Sequence, residues 1–283
     1  MTSDWLTRRV LHYAHQGGAK EAPSSTLYAF RAALVEGADA LEMDVHLTAD
    51  GALVVAHDST VDRTTPAEGR IDEYTLNQLR SLDFAHWWAP GHDAVTGLDD
   101  HAYPLRGRAP EQSELGVTLL SDVLGEFPDT LLNLDIKGGR TPYEQDLADL
   151  LRSYGRADDV IVASFHDEHL QRFRTIAPEI CTSSAAGESF AIAAAIVEGR
   201  PVDLPASLVA LQVPYRFSEE AEPLFDDTFV GAAHERGLAV HVWTIDAEAE
   251  MLSVLQTGVD GIMTDVPTRL EQVYRDQRVQ RWR

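Results

Sequence analysis

Eight short runs rich in β-branched and other apolar residues recur along the chain, at residues 10–15, 40–46, 131–137, 160–164, 179–183, 208–213, 239–243 and 261–264. The stretches between them carry the spacing of amphipathic helices. Such alternation predicts parallel strands joined by crossover helices, and eight units of it predict a (β/α)8 barrel, the TIM barrel. At 283 residues a barrel of this kind often stands undivided, so residues 1–283 read as a single domain.

Two segments depart from the alternation. Thr48-Ala-Asp-Gly51 is a tight-turn signal feeding Leu53-Val-Val-Ala-His57, which predicts that the second strand extends into a hairpin and folds His57 back toward its end. Residues 84–118 are rich in glycine, proline and histidine with little periodicity, and read as an inserted excursion.

Composition narrows the function classes. A formal net charge of -23 repels phosphate backbones and anionic bilayers, so neither a nucleic-acid partner nor stable membrane association is expected, and any phosphate handled here needs a local cation. The single cysteine, Cys181, rules out an intramolecular disulfide and reads as a small buried residue. The opening residues lack the apolar stretch of a signal peptide and no later run is long enough to span a bilayer, which gives a cytoplasmic expectation. Oligomeric state is left open.

The chemistry begins in Ala40-Leu-Glu-Met-Asp-Val-His46, where period-two alternation sets Glu42, Asp44 and His46 on one strand face. Burying two like charges costs several kcal/mol. A hard divalent cation with oxygen ligands offsets that cost. Leu132-Asn-Leu-Asp-Ile-Lys137 repeats the pattern with Asp135 as a third carboxylate and Lys137 two residues on. The same spacing suits an Asp135–Lys137 ion pair, or carboxylates that merely cap the barrel rim.

His15, before Gln16-Gly-Gly18, falls where the first strand should end, and the glycines would let backbone approach a bound anion. Together with His57, it offers two imidazoles suited to proton transfer near a carboxylate cluster, although each alone is as readily structural.

These residues carry a resemblance to the glycerophosphodiester phosphodiesterase family. Its His-Arg-Gly and Pro-Glu-Asn-Thr-like opening corresponds to His15-Gln-Gly-Gly-Ala-Lys-Glu-Ala-Pro-Ser-Ser-Thr26. The more specific match is Leu41-Glu-Met-Asp-Val-His through Ala56-His-Asp58 and on to Val61-Asp-Arg-Thr-Thr65, similar to the family's metal strand and second-histidine block. Leu134-Asp-Ile-Lys137, Val242-Trp-Thr-Ile-Asp246 and Gly258-Val-Asp-Gly-Ile-Met-Thr-Asp-Val-Pro267 resemble its later elements. The resemblance implies metal binding by Glu42, Asp44 and Asp135, acid/base roles for His15 and His57, phosphate contact from Lys137, and Trp243 lining the substrate pocket. It further implies hydrolysis of glycerophosphodiesters to glycerol 3-phosphate and an alcohol. A divalent ion, Ca²⁺, Mg²⁺ or Mn²⁺, would neutralise phosphoryl oxygens while one histidine activates the attacking oxygen and the other protonates the leaving alcohol. Water and the substrate's own glycerol hydroxyl both remain open as the attacker.

Three positions depart from the family pattern. Gln16 replaces the usual Arg and removes a bidentate phosphate clamp. Ser24 and Ser25 replace Glu-Asn, and Asp135 is one methylene shorter than the usual Glu. Two further readings accompany the resemblance: a lysophospholipase D, which would favour an exposed apolar mouth, and a catalytically weak glycerophosphodiester-binding protein. In the excursion, His86-Trp-Trp88, His92 and His101 read either as a lid over the substrate or as a surface segment with its tryptophans packed on the barrel. His166-Asp-Glu-His169 is expected to cap a helix in solvent.

Overall fold

The computed structural model describes residues 4–109, 111–218 and 221–281. Eight parallel strands close into a ring: β1 (Leu11–Ala14), β2 (Ala40–Leu47), β5 (Leu131–Ile136), β6 (Val160–Ala163), β7 (Cys181–Ser183), β8 (Leu208–Pro214), β9 (Ala239–Trp243) and β10 (Gly261–Thr264). β1 pairs with both β10 and β2, which seals the barrel. All eight expected strands are present. β3 (Leu53–Val55) runs antiparallel to β2, with Val45 opposite Val55, so the hairpin forms as read. β4 (Thr118–Leu119), too short to signal itself in sequence, pairs antiparallel with β3.

The larger crossover helices are α1 (Leu27–Val35), α4 (Glu144–Ser153), α5 (Asp167–Ile176), α6 (Ala186–Val197), α7 (Asp227–Glu235), α8 (Glu248–Gln256) and α9 (Pro267–Asp276), with α2 (Leu76–Leu79) and α3 (Leu120–Glu126) shorter. Their starts follow local chemistry. The Thr26 hydroxyl accepts from Ala29 N–H at α1, Asp226 accepts from Phe229 N–H at α7, and Pro267 opens α9, where a missing N–H costs nothing. His166 stands at the N-terminus of α5 without a side-chain cap, and His169 pairs through Nδ1 with buried Glu144 at 2.6 Å rather than facing solvent. The segment thus opens a helix with His166 exposed at its N-cap position as expected, whereas His169 turns inward because Glu144 on α4 offers it a charged acceptor.

The odd-even alternation divides each strand between two cores. Leu41, Met43, Val45, Leu132, Leu134 and Ile136 face the helices, whereas Leu11, Tyr13, Ala40, Leu131 and Ile161 fill the barrel with Trp5. Cys181 is only half-buried. Above this apolar plug lies a neutral polar layer: Gln212 Nε2 donates to Asn133 Oδ1 at 2.7 Å, and Gln212 Nε2 and Tyr13 Oη lie 3.3 and 3.4 Å from His241 Nδ1. Burial pushes the His241 pKa down to about 3. An unfolded chain protonates this ring near its ordinary value while the native barrel does not, so native stability falls as pH drops from about 6.5 toward 3. The slope from this one group approaches about 1.4 kcal/mol per pH unit. Urea titrations across that range should show a shallower pH dependence in His241→Gln, and an unchanged dependence would refute the assignment.

The chain between β3 and β4 makes an excursion with its own small core of Val61, Ile71, Leu79 and Phe84. Trp88 packs onto the body, buried and donating from Nε1 to Ala19 O at 3.1 Å, while Trp87 donates to Thr65 O at 2.8 Å within the excursion. His92 and His101 are exposed. No described residue of 84–118 lines the cavity described next, so the lid reading of this segment finds no support.

Candidate active site

At the C-terminal ends of the strands a cavity of about 630 Å³ opens, and His15, Glu42, Asp44, His57, Asp135, Lys137 and Trp243 all line it. Period-two alternation turns Glu42 and Asp44 inward from β2. The parallel register then pairs Glu42 with Asn133 and Asp44 with Asp135, which sets the third carboxylate beside the second. All three are buried.

The side chain of Gln16, expected to contact substrate, is buried with its Nε2 3.4 Å from His15 Nε2. Gln16, Gly17 and Gly18 all take positive φ, at 51°, 84° and 90°. This turn aims Gln16 N–H at Glu42 Oε2, 3.0 Å away. A Cβ on Gly17 would stand 2.8 Å from Ala29 Cβ, and one on Gly18 would stand 2.7 Å from the Pro267 ring. Gly18 N–H donates to His15 O at 2.8 Å. The glycines thus serve the turn and its packing against α1 and α9, and the Gly18 N–H is already engaged by His15 O.

Each imidazole is held through its Nδ1 by a carboxylate. His15 Nδ1 meets Asp265 Oδ1 at 2.7 Å, and His57 Nδ1 meets Asp58 Oδ1 at 2.6 Å. With Nδ1 engaged, each Nε2 is the nitrogen left for other work. Burial disfavours a proton on His15, but Glu42 and Asp265 outweigh it and hold its pKa up at about 9. The hydrogen bond that His57 donates to Asp58 raises the His57 pKa against the cost of its burial. Asp58 is fixed in turn by Arg63, whose Nε donates to Asp58 Oδ2 at 2.6 Å and whose Nη1 pairs with Asp93 in the excursion. Asp265 and Asp58 fall within the family-like blocks quoted above but carry no assigned role there, because their pairing with the histidines is set by the fold, with Asp265 lying 250 positions from His15.

The Lys137 ammonium lies 2.7 Å from Asp44 Oδ1 and 2.8 Å from Asp135 Oδ2, so the ion pair weighed as an alternative also exists. Burial works against its charge, and the two carboxylates prevail and raise its pKa. Glu42 is pushed up by burial and by Asp44. Among the described residues Lys137 is the only lysine or arginine lining the cavity, against three carboxylates. Asp44 Oδ2 and Asp135 Oδ1 are buried with no hydrogen-bond partner among the described residues. No three of the described His, Cys, Asp and Glu residues stand together at liganding spacing. The donor chemistry nevertheless suits a hard cation: oxygen atoms only, two of them unsatisfied, and charge in excess of what Lys137 neutralises.

The description "Glycerophosphoryl diester phosphodiesterase family" fits residues 15–269. A glycerophosphodiester phosphodiesterase of Caldanaerobacter subterraneus subsp. tengcongensis is 30% identical over 94% of this chain and 98% of its own length. A lysophospholipase D of Rattus norvegicus is 27% identical over 92% of this chain and 85% of its own. Among solved structures, an Oleispira antarctica phosphodiesterase in complex with the product sn-glycerol-3-phosphate superposes with a TM-score of 0.69 at 21% identity, covering 96% of this chain and 99% of that one.

Proposed function

Because the chain belongs to the glycerophosphoryl diester phosphodiesterase family, we propose that it hydrolyses glycerophosphodiesters to glycerol 3-phosphate and an alcohol by two-histidine acid/base catalysis with a divalent metal ion. The observation that carries this reading is the pair of imidazoles, each tied at Nδ1 to a carboxylate and each lining the cavity that holds Glu42, Asp44 and Asp135. We read residues 1–283 as one barrel domain with the segment near 84–118 as an insertion.

In this mechanism Glu42, Asp44 and Asp135 would hold a divalent metal ion, and Ca²⁺, Mg²⁺ and Mn²⁺ all have the preference for oxygen donors that these carboxylates would meet. Bound there, the ion supplies charge neutralisation for the phosphoryl oxygens. Lys137 adds a fixed positive charge on the same floor and takes part of the work of the Arg that Gln16 replaces. One imidazole takes the proton of the attacking oxygen, and the other returns a proton to the leaving alkoxide. Asp265 and Asp58 keep both rings oriented through those two transfers. Trp243 flanks the substrate.

Glycerol 3-phosphate release from glycerophosphocholine should cease in EDTA and return with at least one of the three cations. Turnover indifferent to EDTA would overturn the metal assignment, and absence of turnover with every cation would overturn the reaction itself.

A further inference from the structure

The described part of the excursion does not line the cavity, yet it reaches the supports of both imidazoles. His57 is held by Asp58, and both oxygens of that carboxylate are taken, Oδ1 by the ring and Oδ2 by Arg63 Nε at 2.6 Å. The plane of Asp58 is therefore set by where the guanidinium stands. That position is set in turn by Asp93, which takes Arg63 Nη1. Burial works against the Arg63 charge, and Asp93 stands first among the groups that offset it. An isolated exposed ion pair contributes little, but a partly buried guanidinium shared between two carboxylates has both of its arms fixed.

The first histidine has a matching arrangement. Asp265 holds His15, and the Asp265 backbone is clamped on both sides: Lys20 N–H donates to Asp265 O at 3.1 Å, and Asp265 N–H donates to Asp246 Oδ1 at 2.8 Å. The Lys20 ammonium closes the clamp by donating to Asp246 Oδ2 at 2.6 Å. The excursion grips this clamp from outside. Trp88 Nε1 donates to Ala19 O at 3.1 Å, and Gly91 N–H donates to Lys20 O at 2.9 Å. Gly91 and Asp93 lie two residues apart, a span of at most about 7 Å. The turn that carries them is pinned: Val95 N–H donates to Trp87 O at 2.8 Å, His92 N–H donates to Ala89 O at 3.0 Å, and Trp88 pairs antiparallel with Ala94. Gly91 sits at φ 82° with open space where a Cβ would stand, so backbone conformation rather than crowding calls for glycine.

We propose that residues 88–93 form a brace that fixes the two imidazoles relative to each other, with Asp93 a positioning residue that acts on His57 through Arg63 and Asp58. The inference rests on the acid/base reading above and gives a role to a segment outside the cavity. One ring must take a proton from the attacking oxygen and the other must deliver one to the leaving oxygen, so the distance between the rings matters as much as the place of either. Each ring stands on a separate turn, His15 after β1 and His57 after β3, where the barrel's own hydrogen bonds have ended. The brace joins those turns directly, from Lys20 O at one end to Arg63 at the other.

The test combines steady-state kinetics with proton NMR of the two imidazole Nδ1–H protons, assigned by their loss in His15→Ala and His57→Ala. Asp93→Ala should lower kcat for glycerophosphocholine about ten- to a hundred-fold at nearly constant KM, the cost of letting a reacting group drift by about an ångström. The His57 Nδ1–H should exchange faster with water in the same variant. Trp88→Ala, at the far end of the brace, should produce the same change at His57. In a His57→Ala background Asp93→Ala should cost nothing further, because the ring it places is gone. A parent-like kcat or an unmoved His57 resonance in Asp93→Ala overturns the proposal. An undiminished loss in the His57→Ala background does so too, and marks Asp93 as a general prop of the fold. A His57 resonance that responds to Asp93→Ala and not to Trp88→Ala overturns the brace and leaves a local ion pair. If the parent hydrolyses no diester, the acid/base reading fails by itself, and the two resonances still decide the brace.

Discussion

His57→Ala should slow turnover of a glycerophosphodiester by about a hundred- to ten-thousand-fold while leaving the barrel folded, the range that a positioned proton-transfer group supplies. The fold should survive because His57 lies beyond the end of β3, outside the apolar cores, and its ring anchors nothing but Asp58, which Arg63 also holds. His15→Ala should fall in the same range. Since the rings act in one proton circuit, the double variant should be little slower than either single variant, as happens when residues work as a unit. Steady-state rates on protein verified by circular dichroism decide the matter. A folded His57→Ala enzyme running within a few-fold of the parent would remove His57 from the mechanism.

The second large effect concerns stability rather than rate. Lys137→Met takes the ammonium from between two buried carboxylates, and removing one partner of a buried ionic cluster costs about 3–5 kcal/mol. For a chain of this size that corresponds to a drop of roughly 10 °C in melting temperature. The variant should also gain more from added Ca²⁺, Mg²⁺ or Mn²⁺ than the parent does, because a hard cation on Asp44 and Asp135 would restore the missing neutralisation. Melting curves with and without each cation read both effects. Parent-like stability, indifferent to cations, would show that the carboxylates relieve their repulsion by protonation alone.

The barrel was legible because its signal is periodic and local. Each run alternates between an inward and an outward set, and β5 is typical, with Leu132, Leu134 and Ile136 against the helices and Asn133 and Asp135 turned inside. The inward carboxylates were legible for the same reason, as charges where a strand should bury apolar groups. What stayed hidden depends on long-range geometry. Asp265 holds His15 across nearly the whole chain, and Arg63 reaches Asp93 through the excursion. The glycines after His15 looked like room for an anion, yet their neighbours Ala29 and Pro267 show that close packing demands them. The Phe190 ring that lines the cavity was hidden as well. Phe190 sits in a helix whose every face is apolar, so periodicity does not tell which phenylalanine faces the core and which faces the cavity.

The seam that closes the barrel has a consequence for how this protein comes into being. His15 stands beside β1, the strand whose two neighbours are β2, with Glu42, and β10, whose end carries Asp265. During synthesis His15, Glu42, His57 and Asp135 all leave the ribosome well before the segment that must hold the first histidine. Until β10 docks beside β1, His15 lacks the carboxylate that orients it. A chain cut short before Asp265 should therefore lack that carboxylate altogether.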